Sequence, residues 1–473
     1  MSDIISELKR ITGADHVLAA SDAERLCADF TGAYHWSPLA IVRPAATAEV
    51  AAIIRLANDT NTPVVPVSGN TGLAGGTRAD GAIMLSLERM NRIRDIRPAA
   101  RTAVVEAGVV LQTLRDAVED HDLIFPLTFG AQGSAMIGGV LSTNAGGSNV
   151  LRYGNTRDLC LGLEVVTPTG DVMEVMSELH KDNSGYNLKH LMIGAEGTLG
   201  IITGAVLKLF PKPRAYATAM VAAPSLEAAL TLLNRLQEAS GGAVEAFEYM
   251  PRKYIEQHMA LINGARDPFD TPHDVNILLE IGATAPRDAT PLPSGQLPVV
   301  ADLENTLAEL FETGLVLDAV VAQNEAQRRE MWERREAAAE VTLHHRPIVN
   351  NDVAVPLDQI ATFLTRADAM IVTHDPGADS ICVAHLGDGN VHYAIWPQSQ
   401  DPAVHDALME GVEEIVLDLG GSFSAEHGIG TSKLPSMARR KDAVAIAAMR
   451  AIKSALDPKG ILNPGKVVPE AVG

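Results

Sequence analysis

Val64-Val65-Pro66-Val67-Ser68-Gly69-Asn70-Thr71-Gly72-Leu73-Ala74-Gly75-Gly76-Thr77 changes character at Ser68. A β-branched run containing a proline stops there, and four glycines follow within eight residues. Glycine accepts positive φ and lets another group approach the backbone closely. Successive free N–H groups in such a turn make a concave anion site. The stretch therefore reads as a strand leading into a loop shaped for a phosphate or pyrophosphate, the other reading being a mobile surface loop. From Gly69 the spacing is G-x-x-G-x-x-G-G. It is neither the dinucleotide fingerprint G-x-G-x-x-G nor a Walker loop ending in Gly-Lys-Ser/Thr.

Working outward, Thr47-Ala48-Glu49-Val50 reads as a helix start with Thr47 as N-cap, and Val50, Ile53, Ile54 and Ala57 form its apolar face. Ile83–Leu87 and Ala103–Ala107 read as strands, and Val110–Glu119 as a helix. Residues 4–30 read as short helices. A second glycine-rich segment covers Gly130–Gly147, where Ser134, Ala135, Gly138, Gly139, Ser142 and Ala145 permit close approach of a flat ligand or dense backbone packing. Leu163–Val166 and Asp171–Val175 read as a hairpin around Pro168-Thr169-Gly170. A third segment runs from Lys181-Asp182-Asn183-Ser184-Gly185-Tyr186 to Ile193-Gly194-Ala195-Glu196-Gly197-Thr198-Leu199-Gly200-Ile201-Ile202-Thr203. Three such loops in one mixed α and β region point to a ligand-binding domain.

The glycine clusters stop after Pro211-Lys212-Pro213-Arg214, which places a domain boundary near 215. A second α+β domain is expected over 215–420, with helices at 225–239, 301–313, 324–344, 357–374 and 402–419, a strand at Ala243–Met250 and a long loop at 285–298. The chain has 473 residues, room for two or three domains, and 47% hydrophobic content. Its net charge of −21 argues against a nucleic-acid partner. An anionic substrate must then be attracted by local positive charge. Cys27, Cys160 and Cys382 lie far apart in no metal-binding spacing, which fits a reducing, cytoplasmic setting. Met1–Arg10 lacks an apolar h-region, and no apolar run is long enough to span a bilayer. Peripheral membrane contact stays open.

The chemistry-bearing stretch of the second half is Ile381-Cys382-Val383-Ala384-His385-Leu386-Gly387-Asp388-Gly389-Asn390-Val391-His392-Tyr393. Asp-Gly between apolar runs is a hairpin signal. With Asp388 and Gly389 as the two turn residues, His385 is expected to pair with His392 on one face, Cβ atoms about 4.5–5.5 Å apart. Two imidazoles so placed can share a metal ion. Glu426 in Ser424-Ala425-Glu426-His427-Gly428-Ile429-Gly430 can complete a two-histidine, one-carboxylate set, which leaves His427 to act as a general base.

Taken together, the glycine loops at 69–76 and 130–147, the Lys181–Tyr186 and Gly194–Thr203 segments, His385–His392, Glu426-His427-Gly428 and Leu462-Asn463-Pro464-Gly465-Lys466 resemble one family. It is the vanillyl-alcohol-oxidase/p-cresol-methylhydroxylase type of FAD flavoprotein, in the branch of D-lactate dehydrogenases, D-2-hydroxyglutarate dehydrogenases and the glycolate oxidase flavin subunit. The resemblance spans about Pro44 to Lys466. It implies an α+β fold: an FAD-binding domain of two α+β subdomains over 1–214 (core about 37–214), a cap domain with an antiparallel sheet over 215–420, and a segment 421–473 that returns to the FAD domain.

By resemblance, Pro66, Ser68, Gly69, Asn70, Thr71, Gly72, Gly75 and Gly76 hold the FAD pyrophosphate. Gly133, Ser134, Gly138, Gly139, Thr143, Asn144, Gly146 and Gly147 run along the flavin and ribityl. Glu196, Gly200 and Ile202 lie on the adenine side, and Asn463 is a C-terminal flavin contact. The first loop has no histidine, so the FAD is expected to be non-covalent. His385, His392 and Glu426 match ligands of a divalent metal, commonly zinc, and His427 matches the base. Arg335 matches an arginine that grips the substrate's C1 carboxylate, which its planar fork suits. Asn390 and His427 join it as substrate contacts. A threonine and a lysine that hold carboxylates in the hydroxyglutarate enzymes are Ala339 and Asn350 here.

The implied activity is oxidation of a D-2-hydroxy acid to the 2-oxo acid, with electrons passed to a protein or quinone and not to NAD. Two alternatives stay open: an oxygen-using alcohol or carbohydrate oxidase of the same fold, and a non-catalytic flavin relay subunit. A homodimer stays open as well.

Overall fold

A computed structural model of the chain describes residues 2–30 and 32–470. The chain forms two compact units: Met1–Gly146 with Asn155–Pro211 and His427–Gly473, and Gly147–Gly154 with Lys212–Glu426.

The first unit holds two sheets. In one, the strands run in the order Val17–Leu18, Ala40–Val42, Ile83–Ser86, Val64–Val67, the last three parallel. Helix Thr47–Thr60 buries Val50, Ile53, Ile54 and Ala57 into the same core as Ala40, Val42, Val64, Ile83 and Leu85. Its N-cap is Ala46, not Thr47. The Thr47 hydroxyl instead donates to Glu164 at 2.7 Å, while the Glu49 carboxylate accepts the Ala45 N–H at 2.8 Å and serves the helix start. The other sheet is antiparallel, in the order Ile93–Arg97, Thr102–Glu106, Ile201–Lys208, Cys160–Val166, Val172–Val175. Val166 pairs with Val172, so the hairpin around Gly170 forms as read. The C-terminal segment adds a parallel bridge from Leu462 to Val64.

The second unit is built on a seven-stranded antiparallel sheet in the order Asp318–Val321, Ala215–Ala223, Val275–Ala283, Val244–Pro251, Asp379–His385, Asn390–Trp396, Val349–Ala354. Side chains alternate between its faces. One face carries Val221, Leu279, Phe247, Ala384, Val391 and Val353, packed under helices Leu226–Ser240, Pro298–Glu312, Ile360–His374 and Pro402–Asp418. The other face divides in two. Met220, Leu278, Met250, Ile381 and Ala394 form an apolar half against Tyr254, Ile255, Met331 and Val341. The rest of that face is polar and carries Thr218, Glu280, Glu248, His385, Asn390, His392 and Asp352, as the strand registers require.

The expected helix at 324–344 is two helices, Glu325–Glu336 and Ala338–Leu343, and the loop at 285–298 contains the short helix Pro286–Ala289. The hairpin register also differs from the reading above. His385 pairs with Asn390 and His392 with Val383, so the loop has four residues, 386–389. A two-residue type I′ turn needs positive φ at both central positions. Gly389 has φ of 88°, but Asp388 is not in the positive region and its carboxylate caps Asn390 N at 3.1 Å. No helix among the described residues is long and apolar enough to cross a membrane.

Candidate active site

The register change moves the pairing by two positions, and a shift of two preserves the face. His385 and His392 therefore still project together, on a diagonal, with ring centroids 5.4 Å apart and planes at 80°. Glu426 reaches the same place, its Oε1 3.9 Å from His385 Nε2. One donor atom from each of the three residues lies within 4.8 Å of the others. Ligands about 2.0–2.2 Å from one ion stand about 3–4 Å apart, so two imidazoles and a carboxylate fit a divalent cation here.

Two buried carboxylates brace these residues, and the sequence reading missed both. Glu248 is 1% exposed and sits directly opposite His385 on the neighbouring strand. It accepts His385 Nδ1–H at 2.9 Å and Arg335 Nε–H at 2.8 Å. Asp352, opposite His392, accepts the Glu426 backbone N–H and the Asn390 amide, each at 2.9 Å. The available signal was a carboxylate inside a strand whose neighbours are largely buried. Such a charge must be paired, but the sequence does not say with what.

Burial disfavours charge on both members of the first pair, and their mutual attraction overrides it. Glu248 lies below the usual carboxylate range, and His385 is raised to about 9 by Glu248. Burial, with Asp352 and Asp388 adding to it, pushes Glu426 up to about 7 against the pull of His385 and Arg335. A dication at the three ligands would favour a neutral imidazole and an ionised carboxylate.

Arg335 arrives on helix Glu325–Glu336, whose N-cap Asn324 accepts Gln327 N–H at 3.1 Å. Arg328, Trp332 and Arg335 fall on one face of this very polar helix at i, i+4 and i+7. Glu280 on the sheet accepts Arg328 at 2.6 and 2.8 Å and Trp332 Nε1–H at 2.9 Å. The helix is thus fixed to the sheet by carboxylates. Arg335 is 8% exposed, and one terminal nitrogen, Nη2, is buried without a partner. The buried Asn390 Oδ1 also has none. An unpaired guanidinium N–H and an unpaired amide oxygen suit a carboxylate and a hydroxyl. Asn350 lies two residues before Asp352 on the same strand face and is exposed, and Ala339 lies on the following helix, Ala338–Leu343.

In the first unit, the glycine loops pack on each other. A Cβ on Gly69 would lie 2.2 Å from Ser134 O, and one on Gly138 2.8 Å from the Ala107 side chain, while Gly72 and Gly133 face open space. Asn70 has φ of 54° and is held by Thr77 and the Ala28 carbonyl. Thr143 bonds back to Gly139 O, and Asn144 (φ 51°) accepts Arg157 N–H at 2.9 Å. Asn463 donates to the Gly76 and Glu196 carbonyls at 3.0 and 2.7 Å and keeps an unpartnered buried Oδ1. Pro66 packs on Gly197, Gly200 admits Val165, and Ile202 is buried. Gly146 belongs to this unit and Gly147 to the other. Open glycines and an unsatisfied amide oxygen in the same unit fit a large polar cofactor. Glu196 also shapes a distant part of the chain. Its carboxylate accepts the N–H groups of Ile429 and Gly430, in the turn that follows His427.

With this geometry in hand, comparison with known proteins gives two family models. Residues 38–176 match an FAD binding domain, and residues 212–467 match the C-terminal domain of FAD linked oxidases. The chain is similar to the D-2-hydroxyglutarate dehydrogenase of Xanthomonas citri pv. viticola, with 36% identity over 94% of this chain and 93% of the relative. It is 35% identical to the Stutzerimonas stutzeri protein of that name over 98% of both chains, and 34% to the mitochondrial one of Bos taurus over 99% of this chain and 84% of the other. Its fold is that of p-cresol methylhydroxylase (TM-score 0.73, 16% identity, 98% and 96% covered) and of 4-ethylphenol oxidase from Gulosibacter chungangensis (TM-score 0.71, 20% identity, 99% and 97% covered).

Proposed function

Because the chain belongs to the FAD-linked oxidases, we propose that it oxidises a D-2-hydroxy acid to the 2-oxo acid, with FAD and a divalent metal, zinc by preference, as its cofactors. The observation that carries this reading is the unpartnered buried Nη2 of Arg335, held by the same carboxylate that holds a histidine of the His385–His392–Glu426 set. When bound, the flavin takes a hydride from C2 and the metal lowers the pKa of the substrate hydroxyl.

The protein's residues do the rest. Arg335 anchors the C1 carboxylate. Asn390, its amide nitrogen already donating to Asp352 and Val353 O, is a further substrate contact, and the hydroxyl hydrogen itself is directed to His427. His427 takes the hydroxyl proton as the hydride leaves. Ser68–Gly76 and Gly133–Gly146 cradle the FAD, without a covalent link. The names of the relatives support D-2-hydroxyglutarate as the substrate. Ala339 and Asn350 offer a second carboxylate no charged anchor, which favours a shorter acid such as D-lactate. The electrons pass to a protein or quinone acceptor.

Anaerobic mixing with D- and L-2-hydroxy acids tests the reading. D-acids are expected to bleach the flavin and L-acids to leave it yellow; a flavin that no 2-hydroxy acid reduces would reject the proposal. His427→Asn should abolish turnover with FAD and metal retained.

A further inference from the structure

Glu248 takes part in no step above, yet its two oxygens serve two functional groups. Oε1 accepts from His385 Nδ1 at 2.9 Å and Oε2 from Arg335 Nε at 2.8 Å. In the neutral imidazole that a metal requires, a buried carboxylate that receives Nδ1–H leaves Nε2 as the bare nitrogen, the atom that faces Glu426. Holding Nε of a planar guanidinium also fixes the plane of its terminal nitrogens, including the unpartnered Nη2.

We infer that Glu248 is a shared positioning residue: it sets the metal-binding tautomer of His385 and the plane of the carboxylate-binding Arg335, so metal affinity and substrate affinity depend on one side chain. This rests on the metal-assisted reading above. Glutamine at 248 offers a single acceptor oxygen for two N–H donors, and its amide group opposes whichever donor is left. Both affinities are therefore exposed to one isosteric change.

The test uses FAD-loaded native protein and Glu248→Gln. Zn²⁺ affinity is read by competition with a chromophoric chelator, and KM and kcat are measured on D-lactate and D-2-hydroxyglutarate at saturating Zn²⁺. Zn²⁺ affinity should fall about 10–100-fold, and KM should rise at least tenfold with kcat within threefold of native. Unchanged Zn²⁺ affinity and KM in a folded Glu248→Gln protein would overturn the inference. So would a uniform loss of FAD content, melting temperature and kcat at native Zn²⁺ affinity.

If Glu248→Gln does not fold, because Arg335 is left buried beside a neutral partner, Glu248→Gln is placed in an Arg335→Met background, which removes both charges together. A tenfold or larger loss of Zn²⁺ affinity relative to Arg335→Met alone supports the inference, and equal affinities reject it. Native protein that binds no stoichiometric Zn²⁺ would sink the metal reading itself, and that result appears before any variant is made.

Discussion

Glu196 and Ile429 stand 233 residues apart in sequence, and the carboxylate of the first accepts the backbone N–H of the second at 2.7 Å. The other oxygen takes Gly430 N–H at 2.9 Å. Glu196 itself has φ of 50°, a conformation that costs a non-glycine residue about 1–2 kcal/mol. Gly428, between His427 and this turn, has φ of 73°, and a Cβ there would lie 2.7 Å from Glu196 Oε1. The turn that follows the proposed base is therefore shaped by a distant carboxylate and by a glycine that leaves room for it.

Glu196→Ala should leave two backbone donors without their acceptor, at about 1–3 kcal/mol. The expected result is a lower urea midpoint and at least a tenfold fall in kcat, with Zn²⁺ content unchanged. Gly428→Ala should lower kcat similarly by displacing the same carboxylate. Native kcat in both variants would show that the turn does not position His427.

Glu280 holds the arginine-bearing helix. It accepts Thr218, Arg328 twice and Trp332, and it is 4% exposed. Glu280→Ala strands Arg328, at about 2–3 kcal/mol once the partial exposure of that arginine is allowed for. Because Arg335 rides on the same helix, KM for a 2-hydroxy acid should rise more than kcat falls. Urea unfolding and steady-state kinetics read the two effects separately.

Much of this was legible where local pattern governs. The face shared by His385 and His392 follows from the two-residue period of strands, and it survived a wrong turn length because the error was an even number of residues. The glycine loops announced themselves by composition. The register did not, because Asp388 caps Asn390 with its side chain instead of entering the positive-φ region. Glu248 and Asp352 were invisible as site residues, because their partners lie 137 and 74 positions away. Thr47 does not cap its helix because its hydroxyl is taken by Glu164 on the strand Cys160–Val166. Which buried carboxylate meets which cation is decided by sheet order, and no local signal encodes sheet order.

Lys466 gives a pH test of the C-terminal segment. It is 8% exposed and donates to Pro464 O at 3.0 Å. Burial, with Arg78 adding to it, lowers its pKa to about 8, against the pull of Asp80 and Glu196. An unfolded lysine titrates near about 10.4. Between those values the unfolded chain binds the proton and the folded chain does not, so stability rises with pH across that window. In FAD-free protein, the difference in urea midpoint between native and Lys466→Met should shift in favour of native from about pH 8 to about pH 10. A pH-independent difference would place the amine in water.

His392→Ala is the direct test of the metal set. His385 and Glu426 would remain, braced by Glu248 and Asp352, but two ligands cannot hold zinc tightly at a site that also leaves positions open to substrate. Metal content per chain should fall from about one toward zero on desalting. Turnover should fall at least 100-fold. FAD content should not change, since the substitution lies in the second unit and the glycine loops up to Gly146 lie in the first. Added Zn²⁺ at millimolar levels should restore part of the rate by mass action, because the missing ligand weakens affinity without removing Arg335 or His427. Rescue by zinc but not by magnesium would fit the nitrogen ligand that remains. Native activity in this variant at zero metal content would mean that turnover needs neither the metal nor His392.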